Sequence, residues 1–284
     1  MSILLPDRPA DGAPAPARRL PVPPRPHAGR AGVGLAVVVG LLVAAHVVAI
    51  RQTEVSITAL IDGWSGITRF LGDAFPPDLT WDTVVRPGIE ATITTFWIGL
   101  LGTTLSIPLT VVLTVLGART TTPNAVVYQV ARAVMSFLRA VPDIVFALIF
   151  VTAVGLGPFP GVLAILLHNA GVMGKLWSEA VEEMDQGPVT ALRTTGAKRP
   201  QVLAHAVLPT VVPQLIGLLL YRLDVNVRSS LVLGLVGAGG IGFLINKSIK
   251  LFQFDEMLTY ILIVLVLIVV VDQVSGAVRR RLAR

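Results

Sequence analysis

The sequence contains no cysteine among its 284 residues, which excludes disulfide bonds, thiolate metal sites and thiol redox chemistry within the chain. Charged residues are also scarce, since they make up 14% of the chain against about 25% in a typical soluble domain. No G-x-x-x-x-G-K-S/T motif occurs, so the chain has no P-loop for ATP. The four histidines are scattered, and their spacing predicts neither a metal site nor a cofactor in this chain.

Long apolar runs fill much of the sequence and give it a mean hydropathy of +0.76. Several of them approach about 20 residues, which is the length of helix that crosses a bilayer. None shows the alternating pattern of a membrane β-strand, and a helix in lipid satisfies its backbone polar groups within its own segment. We therefore predict an all-α, polytopic membrane protein.

The apolar runs predict six transmembrane helices, over residues 31–50, 91–116, 141–157, 162–176, 208–236 and 258–277. Six spans put both ends of the chain on one side of the membrane. Arginines precede the first span and follow the last, and such residues favour the cytoplasmic side. The sequence thus predicts a multi-pass protein of the cytoplasmic (inner) membrane with both termini in the cytoplasm. Residues 51–88 are then external, with a short interfacial helix near residues 57–71.

Composition divides the chain into two regions. Residues 1–30 are rich in proline, alanine and arginine, which predicts a disordered basic tail. Residues 31–284 form the predicted transmembrane domain, which includes a polar cytoplasmic loop at about residues 179–206. The net charge of +6 is then explained by cytoplasmic loops and by contact with membrane lipid, and no nucleic-acid partner is expected.

The polar segment TALRTTGAKRPQVLAHAVLP, residues 190–209, lies between two apolar runs. Because proline is tolerated in a first helical turn, Pro188 predicts the start of a short helix over residues 189–195. Gly196 permits the turn that ends this helix, and Pro209 begins the next span. Nine residues separate Gly196 from Ala206, which is followed after one residue by Leu208 and Pro209. A short helix, a break and a second helix form a lever through which another protein could push on the membrane domain.

This spacing resembles the cytoplasmic coupling loop of ABC importer permeases, whose pattern is E-A-A, three residues, G, nine residues, I, one residue, L-P. Thr190 stands where the family has glutamate. Three longer strings, ALIFVTAVGLGPFPGVLA, EAVEEMDQGPVTALRTTGAKRPQV and YRLDVNVRSSLVLGLVGAGGIGF, resemble the permease subunit of phosphonate-type ABC importers. That family takes up phosphonate, phosphate or phosphite. The resemblance covers about residues 134–244, and residues 1–30 depart from it.

The resemblance implies a type I, methionine/phosphonate-like permease fold that performs alternating access without bond chemistry of its own. It implies two ATP-binding cassette subunits that hold ATP and Mg²⁺, an external substrate-binding protein and a second copy of this chain. It also implies an ATPase-coupling set made up of Thr190, Ala191, Leu192, Arg193, Gly196, Ala197, Leu208 and Pro209.

Charged residues inside the fifth predicted span are costly in a membrane and therefore rarely without a role. Arginine suits the oxygens of phosphate or phosphonate, which makes this span a candidate translocation path with the residues Arg222, Asn226, Ser229 and Arg228. A structural alternative stands beside this one. Asp224 lies four residues before Arg228 and favours a pair with it, whereas Arg222 would need a partner on another helix, such as Asp143.

The remaining motifs do not predict a further functional site. Residues 237–242 read G-x-G-x-x-G, but they follow a membrane span and not a strand, so a close-packed turn is predicted and no dinucleotide site. His168 and Asn169 favour hydrogen bonds between helices. Three other functions remain open: a methionine-type or other small-solute permease, an ion-coupled secondary transporter that uses Glu90 or Asp224, and an intramembrane enzyme, for which the sequence offers no nucleophile and base.

Overall fold

The computed structural model describes residues 28–282 and is helical throughout, as the sequence predicts. The predicted tail over residues 1–30 lies outside this range, except for residues 28–30, which begin the first helix. The chain divides between residues 64 and 65 into two compact units. In the first unit, helix α1 (Ala28–Gln52) is apolar on all sides, as expected of a helix that faces lipid. A short helix, α2 (Ile57–Asp62), follows it and is capped by Ser56.

The next helix begins at Trp64, at the boundary between the units, and the second unit holds the helices that follow it. The α-helices from Trp64 onwards are α3 (Trp64–Ala74), α4 (Arg86–Gly117), α5 (Ala125–Ala140), α6 (Asp143–Val154), α7 (Pro158–Glu183), α8 (Gly187–Thr194), α9 (Arg199–Val202), α10 (Leu208–Leu235), α11 (Ile241–Lys250) and α12 (Phe254–Leu282). A single turn of π-helix (Trp81–Val85) leads into α4, and a second (Leu203–Val207) leads into α10. Five helices between residues 28 and 282 are long and apolar enough to cross a membrane, or six if α5 and α6 together count as one span.

The third predicted span, residues 141–157, is wrong in its bounds. Helices α5 and α6 meet at an angle of 83°, and α6 alone, at 12 residues, reaches only about 18 Å. Pro142 lies at the break between the two helices. Because a proline restricts the residue before it to extended backbone, Pro142 ends α5 at the preceding residues. The α5–α6 pair therefore replaces the simple span.

Between the fifth and sixth apolar runs the sequence predicts an external loop that contains Lys247 and Lys250, but these residues lie in helix α11. The prediction of a loop is therefore wrong, and the side of the membrane on which α11 lies stays a prediction. One face of α11 is buried through Ile241 and Ile245, which pack with Val84, Met257 and Tyr260 of neighbouring elements. The glycine-rich turn before α11 is closely packed, as predicted. A side chain at Gly239 would lie only 2.8 Å from the Pro158 backbone nitrogen.

The main core lies where α4, α5, α6, α7 and α10 meet. Helix α7 is longer at both ends than the predicted span over residues 162–176. Its buried small residues, among them Ala164, Ala170 and Gly171, let neighbouring backbones approach closely. This close contact brings polar side chains of α4, α7 and α10 together at about the middle of the bundle.

Candidate functional site: a coupling segment and a buried arginine

The short helix of the predicted coupling segment is present as α8. Pro188 lies in its first turn, and Gly196, with φ +80°, ends it. The Gly196 N–H donates to the Arg193 carbonyl (3.1 Å) and the Ala197 N–H donates to the Leu192 carbonyl (3.2 Å). These two bonds form a Schellman motif, which requires left-handed backbone at position 196 and therefore favours glycine there.

Helix α8 has one buried and one exposed face. Val189 is buried against Val202 and Ala206, and Leu192 and Ala197 pack at the edge of this small core. An open concavity of about 440 Å³ lies beside it, lined by Leu192, Thr195, Gly196, Ala197, Gln201 and His205. The predicted coupling residues that remain exposed are Thr190, Ala191, Arg193, Gly196, Leu208 and Pro209. The segment is thus stabilised by its own small core, and these exposed residues form a surface beside α8, called the ledge below, that is open to a partner protein.

An ionic cluster that the sequence did not predict anchors the end of α7, just before the coupling segment. Glu182 accepts hydrogen bonds from the Arg119 backbone N–H (2.7 Å) and from the Arg132 guanidinium (3.1 Å). Arg132 also donates to the Gly117 carbonyl at the end of α4 (2.9 Å). The Tyr128 ring lies under both guanidinium groups, and its hydroxyl raises the pKa of Arg119. Separations of 50 and more residues hide this cluster from local sequence patterns.

Replacing Glu182 with glutamine is expected to destabilise the assembled protein by about 1–2 kcal/mol, because it removes a charge-assisted hydrogen bond from a partly buried position. Thermal unfolding of the purified protein measures this effect. Glu90→Gln is the matched control: the Arg86–Glu90 pair is about two-thirds exposed on both sides, and such pairs contribute only about 0–1 kcal/mol. An equal shift in both variants would contradict an anchoring role for Glu182.

Arg222 lies in a buried polar cluster formed by three helices. Its Nε donates to Asn169 Oδ1 of α7 (2.9 Å), and its Nη2 donates to Asn226 Oδ1 one turn along α10 (3.1 Å). The two amides donate in turn to hydroxyls of α4: Asn169 to Ser106 and Asn226 to Thr103, both at 2.8 Å. The prediction that Asn169 bonds between helices is thereby confirmed, and His168 does the same towards the Val141 carbonyl.

The suggested partner of Arg222, Asp143, is not its ion-pair partner in the described part of the chain. Asp143 accepts instead from the backbone N–H of Ile144. Arg228, by contrast, is paired with Asp224 (2.8 Å), as predicted, and lies 3.8 Å from Asp272 of α12. The four candidate path residues therefore separate: Arg222 and Asn226 share one cluster, Arg228 joins another, and Ser229 is half-buried on the same helix.

The two carboxylates considered for an ion-coupled transporter are both paired with arginine, Glu90 with Arg86 and Asp224 with Arg228. Between residues 28 and 282 no group of three or more histidine, aspartate or glutamate side chains is arranged to hold a metal ion.

Long apolar helices between residues 28 and 282 define a polytopic membrane protein. Residues 110–284 match the family described as binding-protein-dependent transport system inner membrane component. The chain is 41% identical over 224 residues to the phosphite transport system permease protein PtxC of Stutzerimonas stutzeri, covering 78% of this chain and 80% of that protein. It is 44% identical over 223 residues to the phosphate-import permease protein PhnE of Mycolicibacterium smegmatis, covering 78% of this chain and 41% of that protein.

Among solved structures, the MetNI methionine ABC transporter in an inward-facing conformation resembles this chain with a TM-score of 0.59 and 23% identity, over 71% of this chain and 96% of that one. An amino acid ABC transporter gives a TM-score of 0.60 at 15% identity. The fold is therefore that of type I ABC importer permeases. The chain belongs to the binding-protein-dependent transport system inner membrane component family, and the family resemblance drawn from its sequence is confirmed.

Proposed function

We propose that this chain is the membrane-spanning subunit of an ATP-driven importer that moves phosphite, phosphate or phosphonate anions delivered by an external binding protein. The observation that carries the proposal is the identity of 40–44% to curated phosphite and phosphate permeases over more than three-quarters of the chain. Methionine permeases are also similar, but at 26% identity, which ranks them as the second candidate.

The buried arginine supports an anionic cargo. A guanidinium matches the oxygens of phosphate-like anions in charge and geometry. Arg222 lies about 21 Å along α10 from Leu208, at about 1.5 Å per residue, which is deep within a hydrocarbon layer about 30 Å thick. Arg222, Asn226 and Ser229 then contribute to the translocation path. Arg228 has a mainly structural role through its pair with Asp224.

The complete importer consists of two copies of this chain, two ATP-binding cassette subunits and the external binding protein. A single coupling segment per chain fits one ATPase subunit per chain, and a two-fold pair is the commonest closed assembly. ATP and Mg²⁺ bind to the ATPase subunits, which carry out hydrolysis. They act on the ledge of α8, through the exposed coupling residues and Leu192 and Ala197 at its edge. Closure of the ATPases moves this ledge, and α10 follows because it begins at Leu208 immediately after the segment.

Purification of the tagged chain from the membranes of its own host tests the partnership. A P-loop ATPase and a phosphorus-oxyanion-binding protein are expected with it, and the ATPase activity of the complex should rise when the loaded binding protein is added. Uptake that is driven by an ion gradient and continues without any ATPase would instead support the secondary-transporter alternative.

The proposed topology places both termini and the coupling segment in the cytoplasm. Lys198 and Lys247 are both exposed and fall on opposite sides of the membrane in this topology. With no native cysteine, single cysteines at the two positions report their sides directly. An impermeant maleimide added outside intact cells is expected to label Lys247→Cys and spare Lys198→Cys, while a permeant maleimide labels both. External labelling at position 198 would refute the orientation.

A further inference from the structure

Two arginines of helix α10 are held in opposite ways. Arg228 is paired with a carboxylate, Asp224, four residues before it, whereas Arg222 is held by an amide, Asn226, four residues after it, and by a second amide, Asn169. We propose that Asn169 and Asn226 are specificity-determining residues, which fix the Arg222 guanidinium without neutralising it and so reserve its charge for a phosphorus oxyanion. This inference rests on the proposed function and adds to it the residues that set selectivity for anions.

The direction of every hydrogen bond in the cluster follows from Arg222. A guanidinium has N–H donors and no acceptor, so each asparagine must turn its carbonyl oxygen towards it. Each asparagine NH₂ then faces a hydroxyl, Ser106 or Thr103, which accepts from it. The two hydroxyls donate hydrogen bonds to backbone carbonyls of α4: Thr103 to Gly99 (2.6 Å) and Ser106 to Thr103 (2.7 Å). The ring is therefore closed and neutral apart from the arginine.

Arg222 and its hydrogen-bond partners are buried, so the missing counter-charge is costly unless an anion supplies it. The side chains of Thr103, Asn169 and Asn226 are at most 2% exposed, and Arg222 itself is 9% exposed. A buried charge is normally paired with an opposite charge, but no carboxylate lies within ion-pair distance of Arg222 in the described residues. Only Nε and one Nη2 hydrogen are used by the amides, so the remaining N–H groups are left to bind an anion.

The same helix shows what a carboxylate would do. The Asp224–Arg228 pair has a separation of 2.8 Å, which is the length of a charge-assisted hydrogen bond. An aspartate at position 226 would place the same pair of groups at the same helical spacing, four residues apart, around Arg222. An aspartate at position 169 would do so from α7. Either change preserves the size of the side chain and cancels the charge that the anion needs.

The test compares Asn169→Asp, Asn226→Asp and Asn169→Ser in the complete complex reconstituted in liposomes with its ATPase and binding protein. Phosphite, phosphate and methylphosphonate serve as probes, and thermal unfolding and basal ATPase activity are measured on the same samples. Both aspartate variants are expected to lose at least about tenfold in ATP-dependent uptake, equivalent to about 1.4 kcal/mol, with thermal unfolding unchanged or shifted upwards. Asn124→Asp is the matched control, because Asn124 caps α5 and aspartate caps a helix equally well.

The serine variant separates charge from structure. It removes the amide from the ring but leaves Arg222 unneutralised, so it should retain more uptake than Asn169→Asp. A purely structural cluster predicts the reverse order, because the aspartate would strengthen the ring and the serine would break it. That reverse order, or wild-type uptake in stable aspartate variants, would overturn the inference and leave the proposed function standing. A wild-type complex that transports none of the three probes would overturn the proposed function as well.

Discussion

Replacing Arg222 with alanine is expected to lower uptake of phosphite, phosphate or phosphonate by about 10- to 100-fold, or about 1.4–2.7 kcal/mol in the free energy of the transport barrier. The guanidinium is a buried positive charge on the proposed translocation path, and alanine cannot replace it. Binding of the anion to the external protein, and docking of that protein, should be unchanged because both take place outside the membrane. Uptake into proteoliposomes and thermal unfolding of the complex need to be measured together.

The hydrogen-bond partners of Arg222 allow this experiment to separate a transport role from a structural role. Because Arg222 is hydrogen-bonded to Asn169 and Asn226 and Asp143 accepts from the Ile144 backbone N–H, the alanine variant leaves unpaired amides and not an unpaired carboxylate. Each unpaired amide carbonyl costs about 1–3 kcal/mol, so the complex should still assemble. Arg222→Lys keeps the charge and is expected to retain more uptake than Arg222→Ala. Wild-type transport in an intact alanine variant would remove Arg222 from the path, and loss of assembly would favour a structural role.

Replacing Gly196 with tryptophan is expected to uncouple ATP hydrolysis from uptake, and the amount of anion transported per ATP should fall at least about fivefold, the lower end of typical coupling between two sites. The residue has φ +80°, where a side chain is strained, and the Schellman motif at the end of α8 depends on it. The indole would also occupy the concavity beside α8 that Gly196 helps to line. The chain should still insert, because no transmembrane helix is altered.

A graded control separates strain from bulk at this position. Nothing lies within 4 Å of a Cβ added at Gly196, so Gly196→Ala introduces the strain of left-handed backbone, about 1–2 kcal/mol, without filling the concavity. Its loss of coupling should be clearly smaller than that of the tryptophan variant. Normal uptake and normal stimulation of ATPase activity in a folded Gly196→Trp protein would argue strongly against a coupling role for this segment.

Local sequence signals predicted the parts of this structure that depend on local chemistry. Pro188, Gly196 and Pro209 mark the start and end of α8 and the start of α10, because proline and glycine act on the backbone at their own positions. The Asp224–Arg228 pair was predictable from helical spacing alone. The same spacing joins Arg222 to Asn226, but opposite charge, which marks the Asp224–Arg228 pair, does not mark a neutral partner.

Other features depend on contacts that no local pattern contains. Asn169 meets Arg222 across 53 residues, and Thr103 meets Asn226 across 123. The α5–α6 bend was missed because Pro142 fits the start of a span as well as a break within one. Helix α11 was missed because it is only 10 residues long and contains Asn246, Lys247 and Lys250, which are typical of a loop.

We propose that this chain carries phosphorus oxyanions across the membrane and that ATP held by a partner subunit drives this transport. The most direct test is uptake of radiolabelled phosphite, phosphate and methylphosphonate into proteoliposomes that contain this chain, its ATPase and its binding protein. We expect uptake of at least one of the three that requires ATP and Mg²⁺, stops when the ATPase is catalytically inactivated, and is absent for methionine. Uptake of methionine alone, or uptake that persists without ATP, would contradict the claim.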